Sequence, residues 1–463
     1  MGTKLTARYY YWLAVAFVRK HIRIIALSSA ISMLLVITSG SIIPAFSNIV
    51  TKPQRTIGMV GSYTRDTLPE AILSQLSSSF LYITPNGEIA PLLASSWETQ
   101  NNGKKFILHL KKNLIWTDGT VFLPKDIVFP FKATKDVTIL TNNPSMIEFE
   151  FKTPLPIFPY YLSFPVLKRP LTGVAGMYSV GHIREKNESI EELILIPNKS
   201  DIQPIVYKFY PNETQLFTAY KLSDISEMTI EKKTLADSFR EWKNTLVTPG
   251  FSQDKIITLF MNVTTEILRD KDVRQAIEQA IDKQKLAELG LVVDSPIPPS
   301  SWAYNSELKK QIFDPDGART VLKKYKTDWE KNPLIISTPF DLSEVAEFVS
   351  RSLRDVGVAN SVKLISSAQD MSAFDVMLLP WNIGTDPDQY FFWHSSQIGP
   401  GKGNISQYKN VKIDKLLEDG RIKSSVEERR KLYWDFQKII TDDTPAVFLY
   451  IPYKYHIQKK VIR

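Results

Sequence analysis

One stretch constrains this chain more than any other: Ile24 to Ile43, IIALSSAISMLLVITSGSII, carries no charge. A run of about 20 apolar residues, rising about 1.5 Å per residue as a helix, spans a hydrocarbon core of roughly 30 Å. Arg19, Lys20 and Arg23 precede it, and the flank after it, PAFSNIVTKPQR, is weakly charged. That bias holds residues 1–23 in the cytoplasm and exports everything after Ile43. Two readings of the run are open. One is an uncleaved transmembrane signal anchor over 24–43. The other is a signal peptide cut after Ala45-Phe46-Ser47, which has small residues at the usual positions. The run is longer than the apolar core of a usual signal peptide, which favours the anchor. The shorter apolar stretch Tyr9 to Val18 would lie along the inner leaflet, its aromatic rings at the interface.

A chain of 463 residues exceeds one compact core, so two or three lobes are expected. The net charge of +8 hints at nucleic acid, but Lys4, Arg8, Arg19, Lys20 and Arg23 all precede the first acidic residue, Asp66. Those five leave an excess of +3 across the rest, where charges alternate in sign rather than forming a concentrated basic face. No nucleic-acid partner is expected. With no cysteine, disulfides, zinc–thiolate sites, thiol catalysis and a lipid-bearing Cys anchor are excluded.

After a linker at Thr51 to Arg55, the pattern mixes strands and helices. RTIGMVGSYT reads as an opening strand and turn. Lys104 to Leu110 and Ser145 to Lys152 alternate as half-buried strands, the first after the turn Asn101-Asn102-Gly103. Further strands are expected at Pro204 to Tyr210, Ile256 to Asn262, Phe374 to Leu379 and Val447 to Ile451. Helical periods run over Glu213 to Leu222, Asp272 to Leu289, Pro315 to Lys324, Leu342 to Val356, Lys412 to Ile422 and Val426 to Ile440. Asp272 is expected to cap its helix. Pro154 to Pro170, rich in proline and aromatics, reads as a connection. Such mixing implies α/β or α+β lobes.

Motifs for chemistry are sparse. There is no G-x-S-x-G elbow and no H-E-x-x-H pair, and none of the five histidines has a triad context. His394 has no second histidine at ligand spacing. Asp314-Pro315-Asp316-Gly317 is half a calcium loop and reads as a helix start. Gly401-Lys402-Gly403 lacks phosphate-loop spacing. Trp116-Thr117-Asp118-Gly119 reads as a hairpin turn with an anchoring aromatic. No enzyme, cofactor or metal site is expected.

Three blocks carry a resemblance. The first is Pro91-Leu92-Leu93-Ala94-Ser95-Ser96-Trp97-Glu98, then Gly103 and FILHLKKNLIWTDGTVFLPKDIVF, through Leu110, Lys111, Trp116, Asp118, Gly119, Asp126 and Phe129. The second is Phe260-Met261-Asn262 with LRDKDVRQAIEQAID, through Asn262, Leu268, Asp270, Val273, Arg274, Ala276, Ala280, Ile281 and Asp282. The third is FDVMLLPWNIGTDPDQYFFWHSS followed by YKNVKIDKLLEDG. In order and spacing they resemble the family 5 extracellular solute-binding proteins of bacteria, the dipeptide and oligopeptide receptors of ABC importers. Ala175-Gly176-Met177-Tyr178 is a weaker match, with Met177 where the family usually has proline.

The resemblance implies an α/β, two-lobed periplasmic-binding-protein-like fold (type II) with an inserted third lobe, here behind an N-terminal transmembrane helix. Lobe I would comprise 52–80, 171–258 and 440–463, the inserted lobe 81–170, and the second main lobe 259–439. The sequence departs from the family after Phe129, where relatives often carry a longer helical stretch, so the inserted lobe is trimmed. The implied function is capture of peptides between two closing lobes and delivery to an ABC permease and its ATPase. The implied state is a membrane-tethered monomer with its bulk outside the cytoplasm. Alternatives are the same fold holding a nickel chelate or an oligosaccharide, a surface adhesion or sensory role, and a surface hydrolase.

Candidate ligand residues lie in the loop after FDVMLL, at the carboxyl end of a strand, where ligands sit in α/β sheets. In peptide-binding relatives an aspartate here pairs with the ligand's α-amine, and a tryptophan lines the cleft. Trp381 matches the tryptophan, but Gly384 stands three residues on, so Asp386 or Asp388 would have to substitute. Two rival readings stay open. Asp386-Pro387 also fits a plain turn, and Trp381 also fits core packing. As a cleft residue, Trp381→Ala would weaken binding and leave the melting temperature unchanged. Tyr63, after the first strand, is the candidate on the opposite lobe.

Overall fold

The computed structural model describes residues 11–12, 15–24, 26–28, 54–131, 137–252, 255–325, 329, 331–366, 374–384 and 386–460. Most of the expected membrane anchor, residue 25 and residues 29–43, lies outside that set. Among the described residues no helix is long and apolar enough to cross a membrane.

One mixed sheet runs through both large lobes. Its second-lobe half is ordered Asn360–Ile365, Leu334–Pro339, Val376–Asn382, Lys255–Met261 and then Ala446–Lys459. The lobe I half continues through Glu227–Ile230, Arg55–Val60, Ile205–Tyr210, Ser189–Pro197 and Tyr178–Lys186. The last two form a hairpin that the pattern reading passes over. It turns on Asn187 and Glu188, both at positive φ (49° and 64°), as a two-residue hairpin requires.

Strand parity explains the second lobe's core. Along Lys255–Met261 every residue after Lys255 is buried, and successive side chains point to opposite faces. Ile257, Leu259 and Met261 enter one core, beneath the helices Lys271–Gln279, Pro315–Lys324 and Ser343–Asp355. Ile256 and Phe260 enter the other, beneath Val411–Ile422 and Val426–Asp443. Helices on both faces are what such continuous apolar strands demand.

The helix expected from Asp272 begins one residue earlier. Its cap is Asp270, whose carboxylate accepts the Asp272 amide at 2.9 Å. It ends at Gln279 rather than Leu289, because Asp282 caps a separate turn of 3-10 helix at Lys283–Leu286. Asp314 does start a helix, accepting from the Gly317 amide. Arg274 is buried and forks onto main-chain carbonyls: Nε to Asp443 and Thr444, Nη1 to Leu268 and Arg269, Nη2 to Asp443. It thereby ties this helix to the carboxyl end of Val426–Asp443, where Thr444 turns left-handed at φ 49°.

The strand Ala446–Lys459 belongs to both lobes. Its first half pairs with Lys255–Met261 and Gly290–Val292, its second half with Thr245–Phe251. The chain therefore passes between the lobes after Phe251 and again at Pro452 and Tyr453. The resemblance put these passages at 258–259 and 439–440.

The inserted lobe is a four-stranded antiparallel sheet, Ala94–Gln100, Lys105–Leu110, Met146–Phe151 and Val137–Leu140, over a core of Phe106, Phe149, Phe158, Trp116 and Phe122. Within the stretch read as a connection, Phe158–Ser163 is 3-10 helix.

Candidate ligand site at the lobe junction

The strand expected to end at Leu379 continues to Asn382, because Lys255–Met261 offers it pairing partners up to Ile256↔Trp381 and Lys255↔Asn382. Trp381 thus shares a face with Met377 and points into the core. It is 3% exposed and packs edge-on to Phe392 (4.9 Å), Trp393 (5.5 Å) and Phe260 (6.1 Å), and tilted on Phe448 (5.6 Å). Its indole N–H is buried and has no acceptor among the described residues.

The loop beyond carries the two aspartates, and each first shapes its own backbone. Asp386 accepts the Asp388 amide and Asp388 accepts the Tyr390 amide, both at 3.0 Å, the side-chain-to-backbone pattern of Asx turns. Each also holds an arginine from the helices behind the loop. Arg429 Nη2 donates to both oxygens of Asp386, at 2.6 and 2.9 Å, and Arg421 Nε donates to Asp388 at 2.8 Å.

Burial works against the Arg429 charge. The Asp386 carboxylate and the Tyr433 hydroxyl outweigh it and hold the guanidinium above its ordinary pKa. The group is caged by rings: Tyr160 at 4.4 Å, Trp302 at 5.3 Å and Tyr433 at 5.5 Å. Such stacking favours a buried arginine.

Tyr160 belongs to the inserted lobe, so the aspartate loop lies at a junction between lobes. Tyr161 donates its hydroxyl to Asp388 at 2.8 Å, the Ile157 amide donates to the Arg421 carbonyl at 3.2 Å, and Tyr160 donates to the Gly87 carbonyl at 3.1 Å. Gly87 sits at φ 84° against the Trp302 indole, where a Cβ would come within 2.6 Å, so only glycine fits the turn. Beside the junction opens a groove of about 670 Å³. Its walls are Glu88, Trp97 and Tyr160 of the inserted lobe and Ser425, Glu427 and Arg430 of the second lobe.

Tyr63 lies elsewhere. It is half-buried on lobe I, donates to the Val60 carbonyl at 2.9 Å and stands edge-on to Phe209 at 5.2 Å. Asp386 and Asp388 are therefore brought together, Trp381 supports their strand from the core, and Tyr63 touches none of them. Sequence reasoning missed Arg421, Arg429, Tyr160 and Tyr161. The aromatic density of Pro154 to Pro170 was the one available signal. His394 is buried, bonded to Ser396 at 2.8 Å and to Glu418 at 3.3 Å, and stacked on Tyr390. Among the described residues no group of three or more His, Cys, Asp or Glu is arranged to hold a metal ion.

The two large halves share the strand Ala446–Lys459, and a small four-stranded sheet stands beside them. Residues 88–170 and 196–402, more than half of the chain, match the Middle region of the bacterial extracellular solute-binding proteins, family 5. This chain belongs to that family. Among family 5 relatives, the oligopeptide-binding protein AppA of Bacillus subtilis is 27% identical over 235 residues, which span 42% of this chain and 43% of AppA. The dipeptide-binding protein of Escherichia coli is 22% identical over 436 residues, 78% of this chain and 81% of that protein. The fold is shared with NikZ of Campylobacter jejuni, solved with Ni(L-His), at a TM-score of 0.72 and 22% identity over 88% of this chain and 94% of NikZ. It is equally shared with AppA of B. subtilis, solved with a nonapeptide, at a TM-score of 0.70 and 20% identity over 88% and 95%.

Proposed function

We propose that this family 5 protein is the extracytoplasmic substrate-binding component of an ABC importer, capturing peptides between its lobes and handing them to a membrane permease. The observation that carries this is the shared strand: Ala446–Lys459 pairs with Lys255–Met261 in its first half and with Thr245–Phe251 in its second, so among the described residues the large lobes are linked through it. A hinged pair closes when contacts made by the ligand in the closed state outweigh the cost of ordering. Relatives named for dipeptides and oligopeptides support peptide as the cargo. An extended peptide can be held through its main chain, without demanding particular side chains. The uncharged run Ile24 to Ile43, with its basic flank, supports a tether that leaves the lobes outside the cytoplasm. The protein would act as a monomer, with no cofactor and no turnover.

One observation favours a second reading, a non-peptide solute such as a nickel chelate or an oligosaccharide. Asp386 and Asp388 are each already paired with an arginine, so their charge is largely compensated within the protein before any α-ammonium group arrives.

Mass spectrometry of molecules released from the full chain, purified in mild detergent, tests both readings. Short intact peptides support the first; a chelate or sugar supports the second. Labelled peptides returned as fragments would mark a hydrolase instead.

A further inference from the structure

The inserted lobe is attached unequally to its two neighbours. To lobe I it is joined through the main chain: Val166 N–H to Ser78 C=O (3.0 Å), Ala94 N–H to Phe80 C=O (3.1 Å), Leu93 N–H to Ser79 C=O (3.2 Å) and Thr117 N–H to Gly173 C=O (2.9 Å). Ser77, buried, adds its hydroxyl to the Val166 carbonyl. Within lobe I, the two segments that carry the inserted lobe are themselves packed tightly, since a Cβ at Gly173 or Gly176 would lie 1.9 Å from the Leu76 carbonyl. Backbone bonds and a buried hydroxyl thus fix the root of the inserted lobe on lobe I. To the second lobe, by contrast, the described contacts are mostly side-chain ones: Tyr161 on Asp388, the Tyr160 ring on Arg429, and Gly87 against Trp302. One backbone bond, Ile157 to Arg421, accompanies them. Tyr161 is still 39% exposed, so this joint is shallow.

Lobe I and the inserted lobe therefore form one body and the second lobe another, and the two are linked by strands that can bend. Any hinge motion must part the Tyr160–Tyr161 contacts and leave the main-chain union intact.

We propose that Tyr160 and Tyr161 form a clasp that grips the Arg429–Asp386 and Arg421–Asp388 pairs and sets how far the empty protein opens. The two ion pairs preassemble a rigid receiving face, and the tyrosines supply a bond that can be remade at each cycle. They are positioning residues: they need not touch the solute, yet each contributes to the closed-to-open ratio that the solute must shift. The inference rests on the hinged binding-protein reading and deepens it.

The chain has no cysteine, so two introduced ones are the only labelling points. Spin labels at Lys112→Cys on the inserted lobe and Lys323→Cys on the second lobe, both exposed, report their separation in the ligand-stripped full chain. Tyr161→Phe removes one hydroxyl and keeps the ring. It should lower the closed-to-open ratio about tenfold, the size of effect expected for losing a hydrogen bond to a charged acceptor. Tyr160→Leu with Tyr161→Phe should lower it further and, because Tyr160 is buried and donates to the Gly87 carbonyl, should also lower the melting temperature, which Tyr161→Phe alone should leave nearly unchanged. Unaltered distance distributions in both variants overturn the clasp. A wild-type protein with one fixed distance, whether stripped or as purified with its solute, overturns the hinged reading itself, so the two failures are distinguishable.

Discussion

Arg429 and Asp386 meet across 43 positions of sequence, with both carboxylate oxygens accepting from one guanidinium nitrogen that is shut off from solvent. A buried pair of this kind punishes the loss of one member more than the loss of both. Arg429→Met should leave Asp386 buried without its cation and cost about 3–5 kcal/mol in chemical denaturation. Arg429→Met combined with Asp386→Leu should recover a good part of that loss. Equal destabilisation by the single and double variants would show that the ring cage, not the charge, matters.

Trp381 is expected to behave as core. Trp381→Ala should cost about 3–5 kcal/mol, the usual range for emptying a buried aromatic site, and should lower the melting temperature of the empty protein. Trp381→Phe should be mild. An unchanged melting temperature with weakened solute binding would return Trp381 to the cleft.

Glu278 gives a pH signature. Burial pushes its carboxyl up to about 7, against the pull of Lys283, whose ammonium lies 3.4 Å away. A carboxyl raised in the folded state binds its proton more tightly there than when unfolded. The stability it contributes is therefore present at acid pH and lost as pH climbs from the ordinary carboxylate range towards 7. Melting temperatures between pH 5 and pH 8, roughly that window, should fall less steeply in Glu278→Gln than in the native protein. Parallel curves would place the titration elsewhere.

Arg274 should not tolerate lysine. Its fork satisfies carbonyls of Leu268, Arg269, Asp443 and Thr444 at once, and an ammonium cannot reproduce that planar spread. Arg274→Lys and Arg274→Ala should both lower stability, by about 2 and about 3 kcal/mol, the scale of charge-assisted hydrogen bonds left unmade. Urea denaturation followed by tryptophan fluorescence measures this directly.

Several elements were legible because their signals are local. Pro315–Lys324 was readable at its start, since Asp314 caps it and Pro315 suits a first helical position. Asn101-Asn102-Gly103 was readable as a turn because all three residues adopt positive φ. The strand expected at Phe374 to Leu379 runs instead from Val376 to Asn382. Its extension depends on a neighbour that begins more than a hundred residues earlier, at Lys255. In the candidate site, Asp386 and Asp388 stood out beside a recognisable tryptophan. Nothing in the run VEERRKLYWDF distinguishes buried Arg429 from half-exposed Arg430.

From the sequence alone came the three family blocks, the alternation of strands and helices, and the uncharged N-terminal run behind its basic flank. All of these rest on neighbouring residues or on fixed spacing. Only the tertiary structure decided that the two aspartates are held by arginines, that Trp381 faces a core, and that two tyrosines from an apparent connection meet the second lobe. Those outcomes depend on which distant side chains arrive within about 3 Å of one another, the reach of a hydrogen bond. That is set by how whole lobes pack, and no local pattern encodes it.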